Sequence, residues 1–204
     1  MGTGMIGLQW IIFIGVAVVS WLVQMNLQSK FKKYSKIPTG NGMTGADVAL
    51  KMLHDNGIYD VQVTHTPGQL TDHYNPANKT VNLSEGVYES NSIMAAAVAA
   101  HECGHAVQHA RMYAPLKMRS ALVPVVSFAS SIMTWVLLGG ILLLNTFPQL
   151  LLAGIILFAM TTLFSFITLP VEINASKRAL VWLSSSGITN ARNHTQAEAA
   201  LRSA

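Results

Sequence analysis

Three long apolar runs divide the chain. Met5–Val23 is interrupted only by Gln9 and Ser20, Ala121–Leu144 carries only Ser and Thr as polar members, and Leu150–Leu169 follows after the short uncharged loop Asn145–Gln149. Each is long enough to cross a bilayer core, so the pattern predicts three transmembrane helices, the last two forming a tight hairpin. Between the first and second runs the pattern is mixed. Val48, Met52 and Leu53 recur at helical spacing, predicting an amphipathic helix that opens at Thr44 or Gly45 and ends at Asn56-Gly57. Val61–Thr64 and Thr80–Leu83 alternate as strands do. With Pro67-Gly68 ending the first and Asn78-Lys79 turning into the second, they are expected to pair as a hairpin around the loop Gln69–Pro76. Ile93–Val107 is a run of good helix formers, capped at Asn91 or Ser92 and continuing towards Arg111. A further helix is expected from Val171, and Thr195-Gln196-Ala197-Glu198 has the pattern of a capping box.

Composition and charge turn this pattern into a topology. Of the 204 residues 51% are hydrophobic and 11% charged, which is not the balance of a soluble domain. The net charge of +4 does not point to nucleic acid, because the basic residues cluster beside the apolar runs. No Lys or Arg precedes the first run, so it reads as an uncleaved anchor and not as a secretory signal. Lys30, Lys32, Lys33 and Lys36 follow it, Lys117 and Arg119 precede the second run, and Lys177 and Arg178 follow the third. If Met1–Gly4 and Asn145–Gln149 lie outside, all 13 Lys and Arg fall on the cytoplasmic side. The predicted organisation is an anchor over 1–29, a cytoplasmic region over 30–120, a membrane hairpin over 121–169 and a cytoplasmic helix and tail over 170–204. The single cysteine, Cys103, excludes an intramolecular disulfide.

Chemistry enters at Ala99–His109, which contains H-E-x-x-H. On a helix, four residues turn through about 400°, so His101 and His105 stack on one face and can hold one Zn²⁺ through neutral nitrogens. Glu102 is one step round, placed to take a proton from water without ligating the metal. Gly104 costs helix propensity and suits the close approach of a backbone or substrate. Cys103 falls on the back of the helix, where a small buried apolar role suits it.

A catalytic zinc needs a third protein ligand and an open position. On the same membrane side Glu172 is the leading candidate, just past the third run, with Ser176 one turn on as support for a ligand. The competing reading of Glu172 is a carboxylate favoured by a helix N-terminus, and Glu85 and Glu89 are further ligand candidates. His73 and Tyr74 are candidates for stabilising an oxyanion, against simple loop packing. His109, one turn past His105, could support the site from behind it. The strand pair could offer an edge to an extended peptide, or merely cover the helix.

Gly42–Gly45, Asn56–Val61, Leu70–Pro76, Ala99–Gln108, Tyr113–Pro124 and Leu169–Glu172 together resemble the bacterial membrane-embedded neutral zinc metallopeptidases of the YugP type, over nearly the whole chain. The chain is also distantly similar to the HtpX and CAAX-prenyl-protease class, which commonly has E-x-x-x-D where this chain has Glu172 and Ser176. The resemblance implies a mainly α membrane protein with a cytoplasmic zincin-like α+β region. It implies one Zn²⁺ per chain and endopeptidase action on protein or peptide substrates at the bacterial cytoplasmic membrane. A catalytically inactive zinc-binding scaffold is the alternative. A transporter would carry charges within its spans, and all 22 charged residues lie outside them. A structural zinc would want four ligands rich in Cys. Substrate identity and oligomeric state are not written in the chain.

Overall fold

The computed structural model describes the backbone of residues 2–190 and 193–202, and side chains from residue 11 onward within them except 12 and 13. The fold is mainly helical with one small sheet. Helix α1 (Gly2–Tyr34) leads to α2 (Gly45–Asp55). Strands β1 (Gln62–Thr66), β2 (His73–Asn75) and β3 (Thr80–Ser84) follow, then α3 (Glu85–Tyr88) and α4 (Ile93–Ala110). Long helices α5 (Ala114–Leu142) and α6 (Pro148–Ser185) pack as an antiparallel pair, and α7 (His194–Leu201) closes the chain.

Local chemistry sets the boundaries. Thr44 caps α2 by accepting from the Asp47 N–H while Asp47 accepts from the Thr44 N–H, and Gly57 (φ 74°) turns the chain out at its far end. Ser92 caps α4 by accepting from the Ala95 N–H. The connector after α1 is clipped to that same end, with Ile93 N–H donating to the Ile37 carbonyl at 2.8 Å.

The sheet differs from the expected hairpin. β1 and β3 are parallel, and β2, built from residues read as loop, pairs antiparallel with β3 to give the order β1-β3-β2. The residues 67–79 between β1 and β3 are long enough for the return that a parallel pair requires. The tight turn lies instead between β2 and β3, where Asn75 Oδ1 accepts from the Ala77 and Asn78 N–H groups and Lys79 takes φ 52°. The capping box at Thr195 is not formed either. Asn190 and Asn193 exchange side-chain to backbone hydrogen bonds, and α7 starts at His194 with Thr195 already inside it.

α4 is the core of the molecule. Its alanine-rich faces are buried against α2, α6 and α7, and Cys103 sits fully buried with Sγ 3.5 Å from the Ala49 carbonyl. Burial pushes its thiol well above the usual range. Gly104 faces α6: a Cβ there would lie 2.8 Å from the Ala175 carbonyl oxygen. The glycine therefore admits the α6 backbone. Gly104→Ala is expected to cost about 1–3 kcal/mol by forcing the two helices apart, read as a lower Tm in detergent.

α5 and α6 are both long and apolar enough to cross a membrane, and only 6% of the most apolar window of each is buried. That exposure is unlike a soluble core helix, whose apolar face must be covered. α5 holds the expected second run up to Leu142 and α6 the whole of the third, and α6 continues unbroken through Pro170 to carry Glu172. The first expected run lies on α1. Most of its side chains up to residue 13 lie outside the described residues; those of Val16, Trp21 and Val23 are exposed.

Candidate metal and catalytic site

The α4–α6 crossing brings His101, His105 and Glu172 together. Glu172 Oε2 lies 3.3 Å from His101 Nε2 and 3.1 Å from His105 Nε2, and the two rings meet edge to face at 4.9 Å. Among the described residues these three form the group of His, Cys, Asp or Glu side chains able to hold a metal.

The outer ring nitrogens are held by neutral partners. Gln108, fully buried, donates through Nε2 to the Val171 carbonyl at 2.8 Å and to Asn174 Oδ1 at 3.0 Å. Its Oε1 is thereby left as acceptor for His105 Nδ1, 3.0 Å away. His105 then carries its proton on Nδ1 and turns an Nε2 lone pair towards the Glu172 carboxylate. His101 Nδ1 lies 3.1 Å from Ser176 Oγ in the corresponding place. Lone pairs converging in this way need a proton or a cation between them. Tetrahedral zinc ligands at about 2.0–2.1 Å are separated by about 3.3 Å; Glu172 Oε2 stands at about that distance from each imidazole and all three donor atoms lie within 4.8 Å of one another, so the donor set fits zinc. The remaining carboxylate oxygen, Glu172 Oε1, is 3.2 Å from Arg119 Nη1 at the start of α5.

The electrostatics follow from burial and these contacts. Burial raises the Glu172 carboxyl, but the hydrogen bonds with His101 and His105 outweigh it and hold the group far below its ordinary value. Burial lowers the His105 imidazole, and the Glu172 contact overrides it, so His105 is raised. Glu102 behaves oppositely: burial pushes its carboxyl up, against the pull of His101 and His105. Its Oε2 accepts from the Tyr74 N–H at 3.0 Å, a group that β2 turns away from β3.

The other expected residues are also near. Tyr74 Oη is 2.9 Å from His109 Nδ1, and both line a cleft of about 880 Å³ that includes His101, Glu102 and Glu172. His73 lines it too, but its Nδ1 is 2.8 Å from the Thr71 carbonyl and its Nε2 3.1 Å from Asn82 Nδ2, so both ring nitrogens are engaged. Ser176 lies outside this cleft, against His101. Gln108 and Arg119 were not expected here. Gln108 stands three residues past His105, a helical spacing that could have marked it; Arg119 read only as part of the membrane-flanking charge. Gln108→Leu keeps the volume, orphans His105 Nδ1 and removes the two side-chain bonds that tie α4 to the Val171 carbonyl and Asn174 of α6. It is expected to destabilise the fold by about 1–3 kcal/mol, checked by thermal unfolding.

Residues 9–204 match the family described as "putative neutral zinc metallopeptidase". The chain is 46% identical over 178 residues to the "putative membrane protease YugP" of Bacillus subtilis, covering 86% of this chain and 78% of that protein. No solved structure matches the chain.

Proposed function

This chain belongs to the neutral zinc metallopeptidase family, and we propose that it acts as an endopeptidase at the cytoplasmic face of a bacterial membrane. His101, His105 and Glu172 hold one zinc ion. The observation that carries the reading is the convergence of two Nε2 atoms and one carboxylate oxygen within 4.8 Å of one another beside a buried carboxylate.

When bound, zinc supplies Lewis acidity, polarising the scissile carbonyl and acidifying water. Glu102 takes the proton from water and returns it to the leaving amine. Burial makes this carboxylate a better base, and the Tyr74 N–H fixes its Oε2 so that Oε1 is free for the proton. Gln108 and Ser176 orient the two imidazoles from behind. With His109 donating from Nδ1–H to it, the Tyr74 hydroxyl keeps its own proton for a developing oxyanion, whereas His73 has both nitrogens in use. β2 is an edge strand of the sheet beside Glu102, which holds its Tyr74 N–H, and a substrate backbone can extend along that edge.

In this reading the apolar run of α1 is the first of three spans, and residues 1–29 form the anchor. Residues 30–120 and 170–204 form the cytoplasmic catalytic region, and 121–169 the membrane hairpin, with all Lys and Arg on the cytoplasmic side. The test is zinc content and peptide cleavage on detergent-purified protein. About one zinc per chain and cleavage that a chelator removes and added zinc restores is the expected result. Zinc without cleavage would leave the scaffold as the account; no zinc would overturn both.

A further inference from the structure

Two clefts reach the reacting groups. The first has Lys117 and Arg119 on its wall. The second, about 870 Å³, shares Asp72, His101, Glu102 and Glu172 with it, and its remaining walls come from different parts of the chain. Leu27 of α1, Leu70 of the loop before β2, and Leu169 and Ile173 of α6 line it, the last three 52%, 54% and 46% exposed. These residues sit where the helices change character. In α1 the apolar run ends at Val23 and Lys30 follows Leu27; in α6 the run ends at Leu169 and Lys177 follows Ile173, itself lining the cleft. The second cleft thus lies between two membrane-directed helices, at the level where their apolar surface gives way to charge. α1 makes its main contacts with α4 and α7, whereas α6 packs along α5. Leu70 takes φ 57°, left-handed backbone that a leucine adopts only at a cost, and the fold spends that strain on an exposed apolar side chain beside the cleft.

We propose that the second cleft receives the apolar, lipid-embedded flank of a membrane-protein substrate, at the point where that segment leaves the bilayer. The polar flank leaves through the first cleft, past Lys117 and Arg119. This rests on the peptidase reading and names its substrate class. An extended chain crossing His101, Glu102 and Glu172 must occupy both clefts. The second cleft, walled by α1, α6 and α7, carries Lys177, Glu198 and Arg202 as well, but its Leu27, Leu70, Leu169 and Ile173 side offers apolar surface next to the runs of α1 and α6, so burial there rewards an apolar flank. Attachment to the same membrane further raises the local concentration of the cleavable segment.

The experiment uses the zinc-loaded full chain in vesicles of phosphatidylethanolamine and phosphatidylglycerol. Three substrates share one casein-derived cleavable sequence: free, fused directly after a single transmembrane helix, or fused after the same helix through a long Gly/Ser spacer. The directly fused substrate is expected to be cleaved about tenfold faster than the spacer form, which is tethered equally well but brings no apolar flank. Replacing Leu27 and Leu70 together by Asn, a residue that tolerates left-handed backbone, is expected to lower the direct-to-spacer ratio about fivefold. A photocrosslinker at position 27 in a Glu102→Gln background should capture the directly fused substrate and not the spacer form. Equal cleavage of the two tethered substrates, an unchanged ratio in the double variant, or crosslinks to lipid alone would overturn the inference while leaving the peptidase intact. Failure to cleave any of the three would overturn the peptidase reading with it.

Discussion

Glu102→Gln is expected to lower kcat by about 10²–10⁴-fold while the protein retains its zinc. Glutamine has nearly the same shape and keeps an oxygen that accepts the Tyr74 N–H, so β2 and the cleft wall stay in place. It loses only the ability to carry a proton. Because burial already disfavours the charge at this position, the neutral amide should not lower stability, and the variant should unfold at or above the wild-type temperature. Peptide hydrolysis, zinc content and thermal unfolding measured on one preparation separate the cases. Loss of zinc together with activity would mean that Glu102 acts on the metal site itself and is not the base.

Glu172→Ala should have the opposite signature. It removes the carboxylate oxygen that lies against both imidazoles, leaving two protein donors where three converged. Losing an outer-shell partner typically weakens metal binding by about 10–100-fold, and losing a donor atom itself should exceed that. The expected result is a chain that folds but gives up zinc during dialysis against a weak chelator. His105, raised by the Glu172 carboxylate, should titrate lower in the variant, because burial is then opposed only by the Glu102 charge and the Gln108 hydrogen bond. Zinc retained at wild-type affinity would exclude Glu172 as the third ligand.

The parts of this arrangement legible in the chain were those governed by local spacing. A four-residue interval on a helix puts His101 and His105 side by side whatever surrounds them, and Ser92 and Thr44 cap the helices that follow them because their hydroxyls reach backbone N–H groups within one turn. Pairing between distant segments was less legible. The alternation of Val61–Thr64 and Thr80–Leu83 marks both as strands but says nothing of direction, and the short, polar β2 carries no hydrophobic alternation of its own. Thr195 has the spacing of a cap, but the helix starts one residue earlier, where the Asn193 carbonyl accepts from the Gln196 and Ala197 N–H groups. Gly104 announced a close approach; only the fold shows that what approaches is the Ala175 backbone. The Arg119 contact with Glu172 joins two separate helices and had no local trace.

The Gly104–Ala175 contact has a mechanical consequence. α6 runs continuously from Pro148, at its turn with α5, to the His101–Glu172 site, and its backbone comes closest to α4 at Ala175. Pro148 is about 40 Å along the helix from that contact, but Glu172 is only about 4.5 Å from it. If a change in bilayer thickness rocks α6 by about 10°, the far end swings by about 7 Å and Glu172 moves by less than about 1 Å. Pro170, which lacks the N–H that would bind the Phe166 carbonyl, lies between the long arm and the contact and lets the arm flex before the short one does. In the proposed membrane setting, a fulcrum so close to Glu172 would keep the His101–His105–Glu172 geometry nearly still while the far arm of α6 follows the bilayer.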